Sequence, residues 1–279
     1  MTAVVGEVVV GSTILNPTAN VTLPVVTPPP AGVYPDANST GVPVGAVLVA
    51  STSSITTSAA GQIIELKAHT GTITVNHANV IIRKCRFTSG AAITIRNNST
   101  NLLIEDCEFD TPASAGPIVA YNNYTIRRCD MHGMTEGPRI SGSNVVIEDS
   151  FLHHMRPYAS NHADAIQQVS GSSCRISRCN LQPYNPTTGD FNNAGFQFGD
   201  DQGSTRGTIV EDCYMNGGNY TVNGGGAGTT TATASFARNK FGHDHRYGIK
   251  ANLGPGVTWD ASNGYADFDP PGQSGIRTI

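Results

Sequence analysis

One eight-residue pattern returns seven times along this chain, and no other feature constrains the fold as tightly. The stretches "VIIRKCRF" (80–87), "LLIEDCEF" (102–109), "YTIRRCDM" (124–131), "VVIEDSFL" (145–152), "CRISRCNL" (174–181), "TIVEDCYM" (208–215) and "ASFARNKF" (234–241) share it. In each, the first, third, sixth and eighth positions are uncharged and mostly apolar, as at Val80, Ile82, Cys85 and Phe87, while the fourth and fifth are nearly always polar or charged. Alternation on either side of a polar break describes two short strands joined by a bend. Successive units begin 22, 22, 21, 29, 34 and 26 residues apart. That spacing is one coil of a solenoid, with insertions in the later coils. A second apolar beat precedes each unit, at Ile73 and Val75, Ile93 and Ile95, Ile118, Ile140, Ile166, Phe196 and Phe198, and Val222, and Ile249 follows the last. Each coil therefore has at least three strand faces.

Composition agrees. With 31 glycines and only 14% charged residues, the chain favours short strands and tight turns over helices. A net charge of -4 and a pI near 6.0 supply no basic stripe, so a nucleic-acid partner is not expected. No run of about 18 apolar residues marks a membrane span. The opening "MTAVVGEVVVGSTILNP" lacks a basic region followed by an apolar one, so no secretion signal is expected.

Two columns within the units carry further information. Five of the six cysteines, Cys85, Cys107, Cys129, Cys179 and Cys213, share the sixth position, with Ser150 and Asn239 completing it. Stacked coil upon coil they form a row of small buried side chains about 4.8 Å apart. A row lines thiols up instead of converging them, so neither a zinc site nor disulfides between coils are expected, and no cofactor is implied. The fifth position reads Lys84, Asp106, Arg128, Asp149, Arg178, Asp212, Arg238, and the fourth begins Arg83, Glu105, Arg127, Glu148. Alternating signs remove repulsion in a parallel stack and penalise a one-coil slip, although each exposed pair is worth only about 0–1 kcal/mol.

Coils of this length with stacked Cys, Ser or Asn columns resemble the right-handed parallel β-helix proteins. The resemblance covers residues 45–265 and, with the repeat, implies an all-β solenoid of about eight to nine coils. Residues 1–44 lie outside it. "EVVVGSTILNPTANVTLPVV" can supply one or two strands, and "TPPPAGVYP" has the proline density of a stiff spacer, so this segment reads as an attachment to other tail or assembly proteins. "VYPDANSTGVPVGAVL" resembles an entry motif that precedes the first coil in β-helix proteins of bacteria and their tailed phages; a wrapped N-terminal cap is the alternative. Trp259 and Tyr265 are expected to close the core ahead of a C-terminal tail, 266–279.

The insertions fall after Leu152, Leu181 and Met215, at equivalent points of three successive coils. Loops placed there rise side by side and wall a flat strand face, which is how a solenoid holds an extended polymer. Just past the repeat unit one column reads His132, His153, Gln182, Asn216, with His154 and His243 one place further on. Imidazoles and amides in line supply the paired donors and acceptors that sugar hydroxyls need. Before the next strand, "NHADAIQQ" (161–168) sets His162, Asp164 and Gln167 together, and Gln197 and Lys250 are expected to align with Gln167 as outward residues. Arg156 and Tyr158 add a cation and a ring, and Asp200 lies at the far end of the neighbouring strand. An outward His beside an Asp can have its tautomer fixed, so His153, His162 and Asp164 are the candidates for acid or base chemistry. His132, His154, Arg156, Tyr158, Gln167, Gln182, Gln197, Asp200, His243 and Lys250 are the candidates for binding.

The polygalacturonase family, also β-helical, presents Asn-Thr-Asp, Asp-Asp, Gly-His-Gly and Arg-Ile-Lys motifs. "NHADAIQ", "GDD", "FGHDH" and "RYGIK" are similar to these in part and follow the same order. The register departs: the family's paired aspartates precede an inward strand residue, whereas Asp200 and Asp201 follow Phe196 and Phe198. Two carboxylates at a defined separation are thus not secured for hydrolysis. A lyase would draw its base and cation from His153, His162, Tyr158, Arg156 and Lys250, and the acidic cluster needed for calcium, Asp164, Asp200 and Asp201, is thin. The resulting expectation is a glycan-binding β-helix in a larger assembly, such as a phage tail tip touching the surface polysaccharide of a host envelope. It would reside in the virion tail or outside the cell; a polysaccharide lyase or glycoside hydrolase is the alternative. Tailspikes of this fold are commonly homotrimers, and the sequence shows no coiled coil to support one here.

Overall fold

The computed structural model describes residues 33–90, 93–112, 116–224 and 231–266. They contain 29 strands and no helix, laid out in three parallel sheets that the chain visits in rotation. Sheet A has ten strands, from Val49–Ser51 to Gly264–Tyr265. Sheet B has nine, from Ile55–Thr56 to Gly248–Ala251, with Thr205–Arg206 pairing at its side, and sheet C has nine, from Ile63–Glu65 to Val257–Trp259. Strands of each sheet pair with their equivalents one coil away, as Leu102–Glu105 does in register with Ile81–Arg83 and Tyr124–Arg127. The fold is a parallel β-helix.

It has nine coils and a tenth strand in sheet A, where about eight to nine coils were expected. One coil is disguised in the sequence. In Gln62–His69 the positions of Cys85 and Phe87 are held by Lys67 and His69, yet His69 pairs with Phe87 in register. His69 is fully buried and its Nδ1 lies 2.9 Å from Ser51 Oγ.

The bend between sheets C and A explains both columns of the repeat. Its fifth-position residue has a left-handed backbone in every unit, with φ from 50° at Arg128 and Asp149 to 57° at Arg238, and none is glycine. Such geometry costs an L-residue roughly 1–2 kcal/mol, and the sixth position offsets it. The thiols of Cys85 and Cys107 each donate to the carbonyl two residues earlier at 3.2 Å, Ser150 Oγ to Glu148 O at 2.8 Å, and Asn239 Nδ2 to Val210 O at 2.9 Å. At Arg83, Glu105 and Glu148 the same carbonyl also accepts the backbone N–H of the preceding coil's bend, so a small side chain with a donor at γ or δ adds a second hydrogen bond that ties the turn together. Cys, Ser and Asn therefore interchange. All six cysteines are free and buried, and burial pushes the Cys107 and Cys179 thiols well up from their ordinary range.

The alternating charges resolve into discrete clamps, each arginine reaching back one coil. Arg128 holds Asp106 (2.7 Å) and Glu105 (2.9 Å), Arg178 holds Asp149 (2.6 Å) and Glu148 (3.0 Å), and Arg238 holds Asp212 (2.8 Å) and Glu211 (2.6 Å). At the bend between sheets B and C, left-handed Asn79, Asn101, Asn123 and Asn144 form an amide counterpart, with Asn101 donating to Asn79 (2.7 Å) and Asn144 to Asn123 (2.9 Å).

Inside, aliphatic and aromatic rows stack along the axis, as Phe87 does on Phe109 with ring centroids 4.6 Å apart. Trp259 packs against Phe236 (5.2 Å) and Phe241 (5.4 Å) at the C-terminal end. Tyr265 is half exposed instead and stacks on His243 (4.3 Å).

Residues 33–44 form a strap along the outer face of sheet A, crossing several coils. Tyr34 packs on Tyr214 with centroids 5.4 Å apart, Asn180 Nδ2 donates to Pro35 O at 2.8 Å, and Gly41 N–H donates to Arg128 O at 2.9 Å. Gly41 passes so close that a Cβ there would sit 3.0 Å from Asp130 Cβ, at a φ of +82°. Beneath the strap the outward residues Phe151, Asn180 and Tyr214 are as inaccessible as the core. This part of the segment read as an attachment is therefore spent on the coil. Residues 1–32 and 267–279 lie outside the described residues.

Candidate functional site

The outer face of sheet B is built differently. Its strands Glu136–Ser141, Asp164–Ser172, Ala194–Phe198 and Tyr220–Asn223 are consecutive, and one outward row reads Arg139, Gln167, Gln197, Asn223 in register. A second row, nearer the loops, pairs Glu136 with Asp164 and Asp164 with Ala194. The first two strands approach closely: a Cβ on Gly137 would lie 1.9 Å from the carbonyl oxygen of Ala165. Glycine beside Glu136 is thus what lets two carboxyl-bearing strands meet at this depth.

Both carboxyls are buried, Glu136 at 6% and Asp164 at 1% exposure. Arg139 grips Glu136 through Nε (2.6 Å) and Nη2 (2.5 Å). Asp164 instead accepts from the Asn193 amide (2.7 Å), which also donates to Gln197 Oε1 (3.2 Å). Loss of water around Asp164 pushes its pKa up to about 7; the Asn193 hydrogen bond opposes that rise, and the charge of Glu136 adds to it. Burial raises Glu136 as well, against the pull of Arg139. Near neutrality the pair can hold one proton and one negative charge.

Two clefts open over this face. The smaller, about 300 Å³, is lined by Thr135, Glu136, Arg139, Ser160, Asn161, His162, Asp164 and Gln167. Asn161 and His162 also border the larger, about 700 Å³, which continues past Pro157, Ala163, Gly189, Asp190, Phe191, Asn192, Asn193 and Asn219 to Arg246. The inserted loops form the wall. Thr135 Oγ1 and the Asn185 and Asn192 amides tie them down, bonding Arg156 O (2.8 Å), Met155 O (3.0 Å) and Pro183 O (2.6 Å). At the far end Tyr220 and Tyr247 pair at 5.6 Å, with Arg246 stacked 5.0 Å over the exposed Tyr247 ring.

The structure divides the sequence candidates. His162, Asp164 and Gln167 come together at the smaller cleft, and Gln197 joins through Asn193. Arg156 and half-exposed Tyr158 lie on the wall. The histidine column falls on sheet A, around the corner. There His153 is buried, with Nε2 2.8 Å from Asp130 and Nδ1 2.9 Å from His154 Nδ1; His132 Nδ1 lies 3.5 Å from Asp110; and Gln182 donates to Asn180 (2.8 Å). Burial, with the neighbouring His153 and His132, lowers the His154 pKa to about 4. These groups lie against one another, and none lines either cleft. Asp200 is likewise engaged, accepting from the Thr205 and Thr231 amides (2.8 and 2.9 Å) and pairing with Arg206 (3.1 Å); desolvation works against these contacts, which still hold its pKa down. His243 is stacked on Tyr265.

Lys250 corrects an expectation. It pairs with Val222, in the row of inward Phe196, while Asn223 and Ala251 continue the row of Gln197. At the last coil the inward position is no longer covered, and Lys250 lays its ammonium 4.4 Å over the Trp259 ring.

Glu136, Arg139, Asn193 and Arg246 escaped the sequence reading. A signal for the first existed: "SGS" occurs at 141–143 and 170–172, with an acid five residues before one and six before the other. The one-residue difference is a register shift between Ile140 and Ser141, which hid the equivalence of Glu136 and Asp164. No protein-family model, curated protein or solved structure matches this chain.

Proposed function

We propose that this chain binds an extended surface glycan along the outer face of sheet B, as a component of a larger assembly such as a phage tail tip. One observation carries the binding reading: two clefts that share Asn161 and His162 run from Arg139 to Arg246 across five coils. At a strand spacing of about 4.8 Å, five coils span about 19 Å, room for several sugar rings. Their lining mixes amides, an imidazole and guanidinium groups, the inventory that sugar hydroxyls and acidic sugar substituents pair with. Exposed Tyr158 and Tyr247 flank it as stacking surfaces. The role in an assembly is supported by the resemblance of residues 33–48 to an entry motif of phage and bacterial β-helix proteins and by the proline-rich composition of the sequence ahead of it. With 33–44 packed on sheet A, attachment to other tail proteins is assigned to residues 1–32.

Binding to purified capsular and O-antigen polysaccharides, immobilised in a panel, tests the reading. His162→Ala combined with Arg246→Ala should weaken the bound polymer by about tenfold or more, equivalent to about 1.4 kcal/mol, with an unchanged melting temperature because both residues are exposed. Retention of binding by the double variant would move the site elsewhere.

A further inference from the structure

We propose that the smaller cleft cleaves the glycan it holds by hydrolysis, with Asp164 as proton donor to the glycosidic oxygen and Glu136 as the carboxylate that attacks the anomeric carbon. The proposal rests on the glycan-binding reading and adds an activity to it.

The geometry comes from one residue pair in one pair of strands. Glu136 and Asp164 are direct partners on neighbouring strands, whose spacing is about 4.8 Å. Their side chains reach the same cleft. Glycosidases that work through a covalent intermediate hold their two carboxyls about 5 Å apart, against roughly 6.5–9.5 Å for direct attack by water, and side chains rooted one strand spacing apart suit the closer arrangement. Close approach of these strands depends on Gly137.

The environments separate the two roles. Arg139 holds Glu136 at two points, 2.5 and 2.6 Å, which fixes its orientation and supplies a counter-charge against the burial that raises its pKa. Asp164 is almost fully buried beside Glu136 and accepts hydrogen bonds from neutral groups, the Asn193 amide at 2.7 Å and the Ala194 backbone N–H; with the charge of Arg139 these oppose a rise that burial dominates. Those are conditions in which a carboxylic acid keeps its proton near neutrality. Two acids placed side by side also contrast with the bends, where the fold clamps each acid to an arginine one coil on. On sheet A, neighbouring Glu108 and Asp130 have their own partners, Arg86 and His153. Asp164 lacks an equivalent cation clamp, which a purely structural pair would be expected to have.

The steps balance with water as the only co-reactant. In the first, the Asp164 proton passes to the glycosidic oxygen, the bond from that oxygen to the anomeric carbon breaks with its electron pair going to the oxygen, and Glu136 forms an ester to the carbon. In the second, water attacks that carbon, gives its proton to Asp164, and the ester electron pair returns to Glu136. The product carries a new reducing end and the configuration of the original linkage.

The experiment incubates the full chain with each polysaccharide of the panel that it binds, then sizes the products and follows the newly formed anomeric proton by NMR. Shortened chains with retained configuration and no unsaturated uronate absorbance are expected. Glu136→Gln and Asp164→Asn should still bind the polymer and lose about 10²–10⁴-fold in cleavage rate. Should Glu136→Gln fail to fold, Asp164→Asn serves alone, since an amide is isosteric with the protonated acid. Bound polymer that stays full length would overturn the activity and leave the binding reading standing. Unsaturated ends would overturn it in favour of a lyase, inverted configuration would remove Glu136 as the attacking group, and failure to bind every polymer would overturn binding and cleavage together.

Discussion

The outer faces of sheets A and B carry similar side chains and put them to opposite use. On sheet A, His153 is held by Asp130 and His154 by His153, His132 lies beside Asp110, and the strap 33–44 packs over the same sheet. On sheet B, Glu136, Asp164 and His162 face open clefts, and the most buried carboxyl among them is held by an amide and not by a cation. Buried polar groups that complete one another rigidify a fold; those left with capacity towards a cleft have something to offer a ligand. A histidine is a poor guide to function until its partners are known. The contrast is between closed and open hydrogen bonding, and three experiments press on it.

The largest effect should come from sheet A. A chain beginning at Gly45 uncovers Phe151, Asn180 and Tyr214, and should lose on the order of 3–5 kcal/mol in urea unfolding, since each aromatic returned to water costs about 1.5–3 kcal/mol. A truncated chain as stable as the parent would show that the strap is a passenger.

The next effect belongs to sheet B. Asp164 has a folded pKa of about 7, above the unfolded value of about 3.9. The folded state therefore binds more protons, and its contribution to stability, fully present below about pH 4, is lost as pH rises towards 7. Asp164→Asn, which cannot ionise, should gain on the order of 2–4 kcal/mol over the parent between pH 4 and pH 8. A stability difference that is the same at both pH values would mean Asp164 is ordinary.

The third compares single histidines across the two faces. His153→Ala leaves Asp130 buried without its imidazole and should cost about 2–3 kcal/mol while sparing polysaccharide affinity. His162→Ala should change stability by less than about 0.5 kcal/mol and weaken binding. If His153→Ala abolished binding at unchanged stability, the assignment of the two faces would be reversed.

Much of the architecture was legible because a solenoid makes each position meet its own kind. Cys85 lies one coil from Cys107, and Asp106 one coil from Arg128, so spacing in sequence becomes proximity in space. That logic missed the coil at Gln62–His69, where an inward histidine replaces Phe. It also placed Lys250 one row off, because in the last coil Lys250 itself, and not an apolar side chain, holds the position in line with Val222.

The site was less legible. "NHADAIQ" marked His162, Asp164 and Gln167, since inserted loops announce where a coil departs from its repeat. Glu136 did not stand out, because a register shift of one residue broke its alignment with Asp164. Nor can any pattern say that sheet A, which carries the histidine column, would be the face covered by a strap arriving from residues 33–44, far away in sequence.

What the sequence determined by itself, then, is the coil, its three strand faces, its bend chemistry and its stacking register, all consequences of repetition between neighbours. What the tertiary structure decided is which face stays open and which acids share a cleft. Those depend on non-repeating segments, the strap and the loops, whose packing against the coils follows from shape and unpaired polar groups instead of from any period in the chain.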